Sequence, residues 1–260
     1  MTQLASLPAG TPALELRGVG RSFGGLRAVN NVNLSVTAGT THVVIGPNGA
    51  GKTTLFALIS GELALSSGSI SLFGTNVSKW SATRRALHGI GRTYQITNVL
   101  AGLSVQQNIL LALRGKQRIK YSFFGSARPS GAETARLDEL LHRCNLEAFR
   151  DTLAGAMSYG QQRQLELAIA LACDPTVLLL DEPAAGLSPA ERGPMADIVR
   201  QLPDDLTVLL IEHDMELALG LADRVTCLHF GEVLAEGTPD EVRRNEEVQA
   251  VYFGAEAHHA

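Results

Sequence analysis

The sequence predicts an α/β protein: a mainly parallel sheet, an N-terminal antiparallel β part and an inserted helical lobe. Three observations carry this expectation. Near-continuous aliphatic runs recur at "HVVIG" (42–46), "TVLLLD" (176–181) and "TVLLIEH" (207–213), and such runs suit central parallel strands covered on both faces. Each run ends on a glycine or polar residue and gives way to a helical pattern, as in a sheet flanked by helices. Between about Leu100 and Ala172 the pattern is helical, with no strong strand.

In chain order, residues 1–12 read as a loose polar leader. From Leu14 to Val36, "LELRGV" and "FGGLRAVNNVNLSV" read as short strands with Gly-rich turns, and "SGSISLFG" (67–74) adds another strand. A single domain is expected over 13–254, with its core at 13–95 and 173–254, a helical lobe at about 96–172, and a tail at 255–260. Within the lobe "LSVQQNILLALRG" and "ETARLDELLHRCN" read as helices. The basic, aromatic "KQRIKYSFFGSARPSG" between them is either a solvated loop or a partner-contact surface. "MSYGQQRQLELAIALA" opens with Ser158 as an N-cap, and Leu165, Ala168, Ile169 and Ala172 mark one helical face. "RVTCLHFGEVLAEGTPDEVRR" reads as a terminal hairpin leading into a helix.

With 260 residues, 45% of them hydrophobic, the chain can bury a substantial core. A net charge of −4 and a pI near 6.0 leave no basic footprint for nucleic acid or anionic lipid. Cys144, Cys173 and Cys227 lack metal-ligand spacing and read as reduced, mostly buried thiols of a cytosolic protein. The N-terminus has no secretory pattern, and no apolar run approaches the roughly 18–20 residues that span a bilayer. Any membrane crossing is left to other chains.

The strongest motif is "GPNGAGKTT", comprising Gly46, Pro47, Asn48, Gly49, Ala50, Gly51, Lys52, Thr53 and Thr54. It fits G-x-x-x-x-G-K-[ST] between a strand and a helix. Its glycines let successive N–H groups face a phosphate, and the helix start adds partial positive charge. Lys52 is expected at the β- and γ-phosphates and the Thr53 hydroxyl on Mg²⁺. The loop alone specifies only a nucleotide, although the N-K-x-D motif of a GTPase is absent. Asp181 and Glu182 end a second apolar strand, where α/β sheets place ligands. Asp181 is expected to hold Mg²⁺ through water and Glu182 to act as the base on the attacking water. His213 ends a third core strand and is expected near the γ-phosphate.

The phosphate loop, "MSYGQ", "LLLDEP" and "IEHD", in that order, resemble the nucleotide-binding subunits of ABC transporters over roughly residues 14–254. The resemblance implies a P-loop NTPase-type core that hydrolyses ATP with Mg²⁺. It implies that Gln95 in "GRTYQ" touches Mg²⁺ and the attacking water, and that Phe23 in "RSFGG" stacks on adenine. By its strand position alone, Phe23 equally fits a core site. It implies that Ser158, Gly160 and Gln161 close on the γ-phosphate of a second ATPase subunit, identical or paralogous, docked head to tail. The family's usual Leu-Ser-Gly-Gly-Gln is here Met157-Ser158-Tyr159-Gly160-Gln161, and the usual aspartate of the "AGLSP" loop is Ser188. Further implied partners are two transmembrane permease subunits and, at the level of the system, a solute-binding protein. The location implied is the cytoplasmic face of the inner membrane, peripherally held. Apolar Ile96, Val99 and Leu103, just after Gln95, are expected to line a cleft for a permease helix. "EPAAGL", "GRTYQ", "IEHDM" and "VYFG" look most like the importers of branched-chain amino acids, and relatives handling a related small solute such as urea, short amides or aromatic acids look similar. The alternatives are the ATPase of lipopolysaccharide export and a soluble ABC ATPase.

Overall fold

Period-two alternation builds the first sheet. The computed structural model describes residues 11–93, 99–115 and 129–253. β1 (Pro12–Phe23) pairs antiparallel with β2 (Leu26–Thr37), and β3 (Thr41–Ile45) leaves for a second sheet. β4 (Ser67–Leu72) pairs with the other edge of β1 and with the two-residue β5 (Thr75–Asn76). Val29, Val32, Leu34 and Val36 of β2 are buried, while Arg27, Asn31, Asn33 and Ser35 are exposed, which is the alternation of a sheet with one covered face. The strands are longer than the short ones expected, at 12 residues each for β1 and β2. Register shifts around Leu16 to Arg21 let them bend.

The second sheet is the nucleotide-type core. Helix α1 (Lys52–Ser60) follows β3, and α2 (Ala82–Leu87) precedes the short β6 (Ile90–Arg92). The order continues through α3 (Val105–Gly115), α4 (Gly131–Arg143), α5 (Tyr159–Ala172) and β7 (Val177–Asp181). After β7 come α6 (Pro189–Arg200), β8 (Thr207–Ile211), α7 (Met215–Leu221), β9 (Arg224–His229) and β10 (Glu232–Gly237). α8 (Pro239–Arg244) and α9 (Glu246–Phe253) close the described chain. The strand order is β10-β9-β3-β8-β7-β6. β3 is parallel to both β8 and β9, β7 is parallel to β8, and β10 is antiparallel to β9. Every residue of β7 and β8 is buried, as the aliphatic runs require. The C-terminal hairpin is therefore part of the central sheet, since β9 pairs with the strand that feeds the phosphate loop. Leu16, Leu34, Phe56, Ile59, Leu179, Leu209 and Ile211 belong to one core cluster.

The chain divides into two compact units, one of 1–90, 176–182 and 203–260, the other of 91–175 and 183–202. The second unit thus adds α6 to the expected lobe, a helix that sequence reading left with the core. Its packing explains this: Arg143 donates to the Gln201 carbonyl at 2.9 Å, and Glu191 meets Ser158 at 3.5 Å. In this unit α3, α4 and α5 bury Ile109, Leu137, Leu140, Leu165 and Ala168 against one another. Among its described residues the strand-like pairing outside β6 is an isolated bridge, Ser104 to Leu153. Cys144 and Cys227 are buried and Cys173 is exposed. Among the described residues no helix is long and apolar enough to cross a membrane.

Candidate functional site

The phosphate loop is shaped by three glycines whose positive φ angles would strain any other residue. Gly46 has φ 147°, and a Cβ there would lie 2.2 Å from the Leu228 carbonyl oxygen. Gly51, at φ 99°, would place a Cβ 2.4 Å from the Ala28 carbonyl oxygen, whereas Gly49, at φ 80°, faces open space. A turn from the Ala50 N–H to the Pro47 carbonyl (3.2 Å) leaves Asn48 and Gly49 exposed at the tip. α1 starts at Lys52 with no side-chain acceptor at its N-cap, so its first N–H groups are available to an anion. Thr53 is exposed and Thr54 partly so, both in that first turn. Lys52 is buried, and its Nζ donates to the carbonyls of Gly46 (2.6 Å) and Pro47 (3.0 Å). Burial lowers its pKa, while the Glu182 and Asp181 carboxylates act to raise it.

Both acids lie where β7 ends. Asp181 is 1% exposed. Glu182 takes φ 48° and donates its N–H to the Ile211 carbonyl at 3.0 Å. That left-handed backbone, uncommon outside glycine, turns its carboxylate off the strand line. His213 Nδ1 stands 3.8 Å from Glu182 Oε2 and 3.9 Å from Glu212 Oε2, and its ring is half exposed. The structure thus brings Lys52, Asp181, Glu182 and His213 to one end of the parallel sheet. Glu212 was not anticipated; it is fully buried and accepts the His213 N–H at 3.3 Å. The signal that could have found it is an acid at the end of the same apolar run. Phe23 is 44% exposed, with the Arg21 guanidinium 4.6 Å from its ring centroid, which removes the core alternative. Gln95 and Ile96 lie outside the described residues; Val99 and Leu103 are partly buried.

In the second unit Ser158 caps α5. Its Oγ accepts the Gln161 N–H at 3.2 Å, and Gln161 Oε1 accepts the Ser158 N–H at 2.9 Å. Gln161 is therefore engaged in a capping box. A second box, Ser188 with Glu191, starts α6. Glu191 also receives the Ser158 hydroxyl (3.5 Å) and would collide with any Cβ on Gly160, 2.5 Å away. Hydrogen bonds from Ser188, then from Ser158 and the Gly160 N–H, hold its carboxyl below the usual range. The start of α5 thus already receives a carboxylate, supplied by a residue that sequence reading missed although "SPAE" is an S-x-x-E capping signal. Tyr159 sits against Gly186, and Arg163 donates to its hydroxyl at 3.1 Å while pairing with Glu166 at 2.9 Å in a buried ion pair.

The chain matches the ABC transporter family over residues 29–185. The chain belongs to the ABC transporter family. Residues 232–258 match the C-terminal segment of the branched-chain amino acid ATP-binding cassette transporters. Two relatives of this ABC ATPase are high-affinity branched-chain amino acid transport ATP-binding proteins. BraF of Pseudomonas aeruginosa is 36% identical and LivG of Escherichia coli 37%, each alignment covering 94% of this chain and 98% of the relative. Among solved structures, an ATP-binding cassette of an ABC transporter in its ADP conformation has a TM-score of 0.81 and 27% identity, covering 94% and 99% of the two chains. A dimeric cassette with ADP and Pi has a TM-score of 0.75 and 26% identity, covering 87% and 98%. The ABC ATPase described here binds nucleotide and hydrolyses ATP.

Proposed function

We propose that this ABC ATPase powers import of branched-chain amino acids through two permease subunits, with ATP and Mg²⁺ at two sites of a head-to-tail ATPase pair. The observation that carries the reading is the phosphate loop, Asp181, Glu182 and His213 meeting at one sheet end, in a chain similar along 94% of its length to branched-chain amino acid transport ATPases. The pair is made of identical or paralogous subunits, works with a solute-binding protein, and lies at the cytoplasmic face of the inner membrane. The dimeric relative with ADP and Pi supports the pairing.

In this reading the N–H groups of Gly49, Ala50, Gly51, Lys52, Thr53 and Thr54 cradle the phosphates, and Pro47 and Asn48 complete the loop. Phe23, exposed at the end of β1, stacks on adenine. The Thr53 hydroxyl, the Asp181 carboxylate (through water) and Gln95 would supply the hard oxygen donors that suit Mg²⁺. Bound there, Mg²⁺ neutralises charge on the β- and γ-phosphates. Lys52 exchanges its two backbone acceptors for phosphate oxygens. Glu182 takes the proton of the attacking water, and His213, close to Glu182, is placed to hydrogen-bond the γ-phosphate. Ser158 and the Gly160 N–H of the second subunit, exchanging the Glu191 carboxylate for phosphate, complete the charge stabilisation from outside together with Gln161. A site split in this way couples hydrolysis to closure.

The test is uptake of radiolabelled leucine, isoleucine and valine in the source cell lacking this chain. Uptake should fall and should return with the wild-type chain but not with Lys52→Ala. Unchanged uptake of all three in the deletion, with loss of transport of another solute, would overturn the substrate assignment while leaving the ATPase intact.

A further inference from the structure

We propose that Tyr252 is a positioning residue of the ATP site and that, through it, the C-terminal helix sets the phosphate loop. The proposal rests on the assignment of Gly46–Thr54 to nucleotide phosphates. Tyr252 lies 206 residues beyond Gly46, yet its hydroxyl oxygen accepts the Gly46 N–H at 2.6 Å. Gly46 is buried, and its carbonyl accepts Lys52 Nζ, also at 2.6 Å. The peptide groups on either side of the first loop residue are therefore fixed, one by α9 and one by the lysine that meets phosphate.

The surroundings keep this contact in one state. Burial, and then the neighbouring Cys227, raise the Tyr252 pKa, so its hydroxyl stays neutral and available as an acceptor. Cys227 itself is pushed up to about 11 by burial, with Lys52 acting to lower it. The Leu228 carbonyl presses on the face of Gly46 where a side chain would be, so the loop start cannot swing towards β9. The helix carrying Tyr252 is anchored as well. The Val248 N–H bonds Asn245 Oδ1 at 3.0 Å, Val248 is 1% exposed, and α9 packs on α8 and β10. Without the hydroxyl, Gly46 keeps a buried donor with no partner, and the Lys52 tie alone sets its orientation. Nucleotide would then bind a loop that it must first reorient. This gives the segment shared with branched-chain transporters a role at the ATP site rather than only at the end of the sheet.

The test is Tyr252→Phe in the full chain, which keeps the ring and removes the hydroxyl. Dissociation constants for a fluorescent ADP analogue, ATPase KM and kcat, and thermal melts are measured together. Expected are a rise of about 5- to 150-fold in Kd and KM, the scale of one unsatisfied buried donor, and a kcat within about twofold of wild type once ATP restores the loop. Unchanged Kd and KM would overturn the proposal even if the melt shifted, because a purely structural tyrosine predicts that result. A lowered kcat at unchanged Kd would overturn it too. Lys52→Ala run in parallel separates the two assignments: if that variant binds ADP normally, the phosphate-loop assignment fails first. Amide hydrogen exchange in the nucleotide-free wild type gives a reading independent of any variant. The Gly46 amide should be protected, and exchange at the rate of an open loop would refute the contact.

Discussion

Two alanine substitutions in the phosphate loop separate backbone strain from steric collision. Gly49 and Gly51 both have positive φ, at 80° and 99°, so an alanine at either is strained, at about 1–2 kcal/mol for a left-handed L residue. Only Gly51 faces a wall: its Cβ would lie 2.4 Å from the Ala28 carbonyl oxygen and 3.4 Å from the Gly231 Cα, both backbone atoms. Relieving that overlap means moving β2 or the turn after β9, a further cost of about 1–3 kcal/mol. Gly49→Ala should therefore lose about 1–2 kcal/mol, and Gly51→Ala about 2–5 kcal/mol with the collision included. The assay is urea denaturation without nucleotide, comparing midpoints at a common slope. Because Gly51 is also the N-cap of α1, displacing it tilts the first-turn N–H groups, so nucleotide binding by Gly51→Ala should drop more steeply than its stability. Equal midpoints for the two variants, or a Gly51→Ala protein with wild-type ADP affinity, would refute the reasoning.

Four further outcomes are expected. Glu182→Gln should slow hydrolysis by about 10²–10⁴-fold yet still bind ATP, and size exclusion should show an ATP-dependent dimer. Mixing Ser158→Arg with Lys52→Ala should restore about a quarter of wild-type ATPase, since half the dimers are mixed and one of their two sites is intact; activity of wild type that stays constant on dilution far below any dimer affinity would contradict the shared site. Tyr159→Gly should fold but be less stable by about 1 kcal/mol, because Arg163 loses a ring and a hydrogen-bond acceptor; an unchanged melting temperature would contradict this. His42 is buried, with Nε2 2.7 Å from Thr226 Oγ1, and burial, then the Arg224 charge, lower its pKa from 6.5 to about 4. The folded state therefore favours neutral imidazole. This contribution is full above pH 6.5 and is lost as pH falls towards 4, so wild type should lose about 1.4 kcal/mol per pH unit more than His42→Leu in that window. Parallel pH profiles for the two proteins would show that His42 is not the titrating group.

What the residues determine by themselves is local and contiguous. The runs that became β3, β7 and β8 were legible because a strand buried on both faces has to be aliphatic throughout. The phosphate loop was legible because its chemistry is carried by nine consecutive residues, Gly46 to Thr54, and the Ser158 cap because a helix start needs an acceptor within three residues. Positions set by packing over long sequence separations were not legible. Phe23 fitted a core site or an exposed one equally until β1 placed it at an open end. α6 joined the helical unit because Glu191 reaches Ser158, 33 residues away, and Arg143 reaches Gln201, 58 residues away. The left-handed turn at Glu182 leaves no mark in a carboxylate pair. Tyr252 met Gly46 because β9 pairs with β3 and brings the chain's end back beside the loop. Local pattern fixes which groups are available, since a strand, a cap or a glycine turn depends on near neighbours. Only the closing of the sheet and the packing of helices decide which of those groups meet, because that choice depends on burial summed over the whole chain.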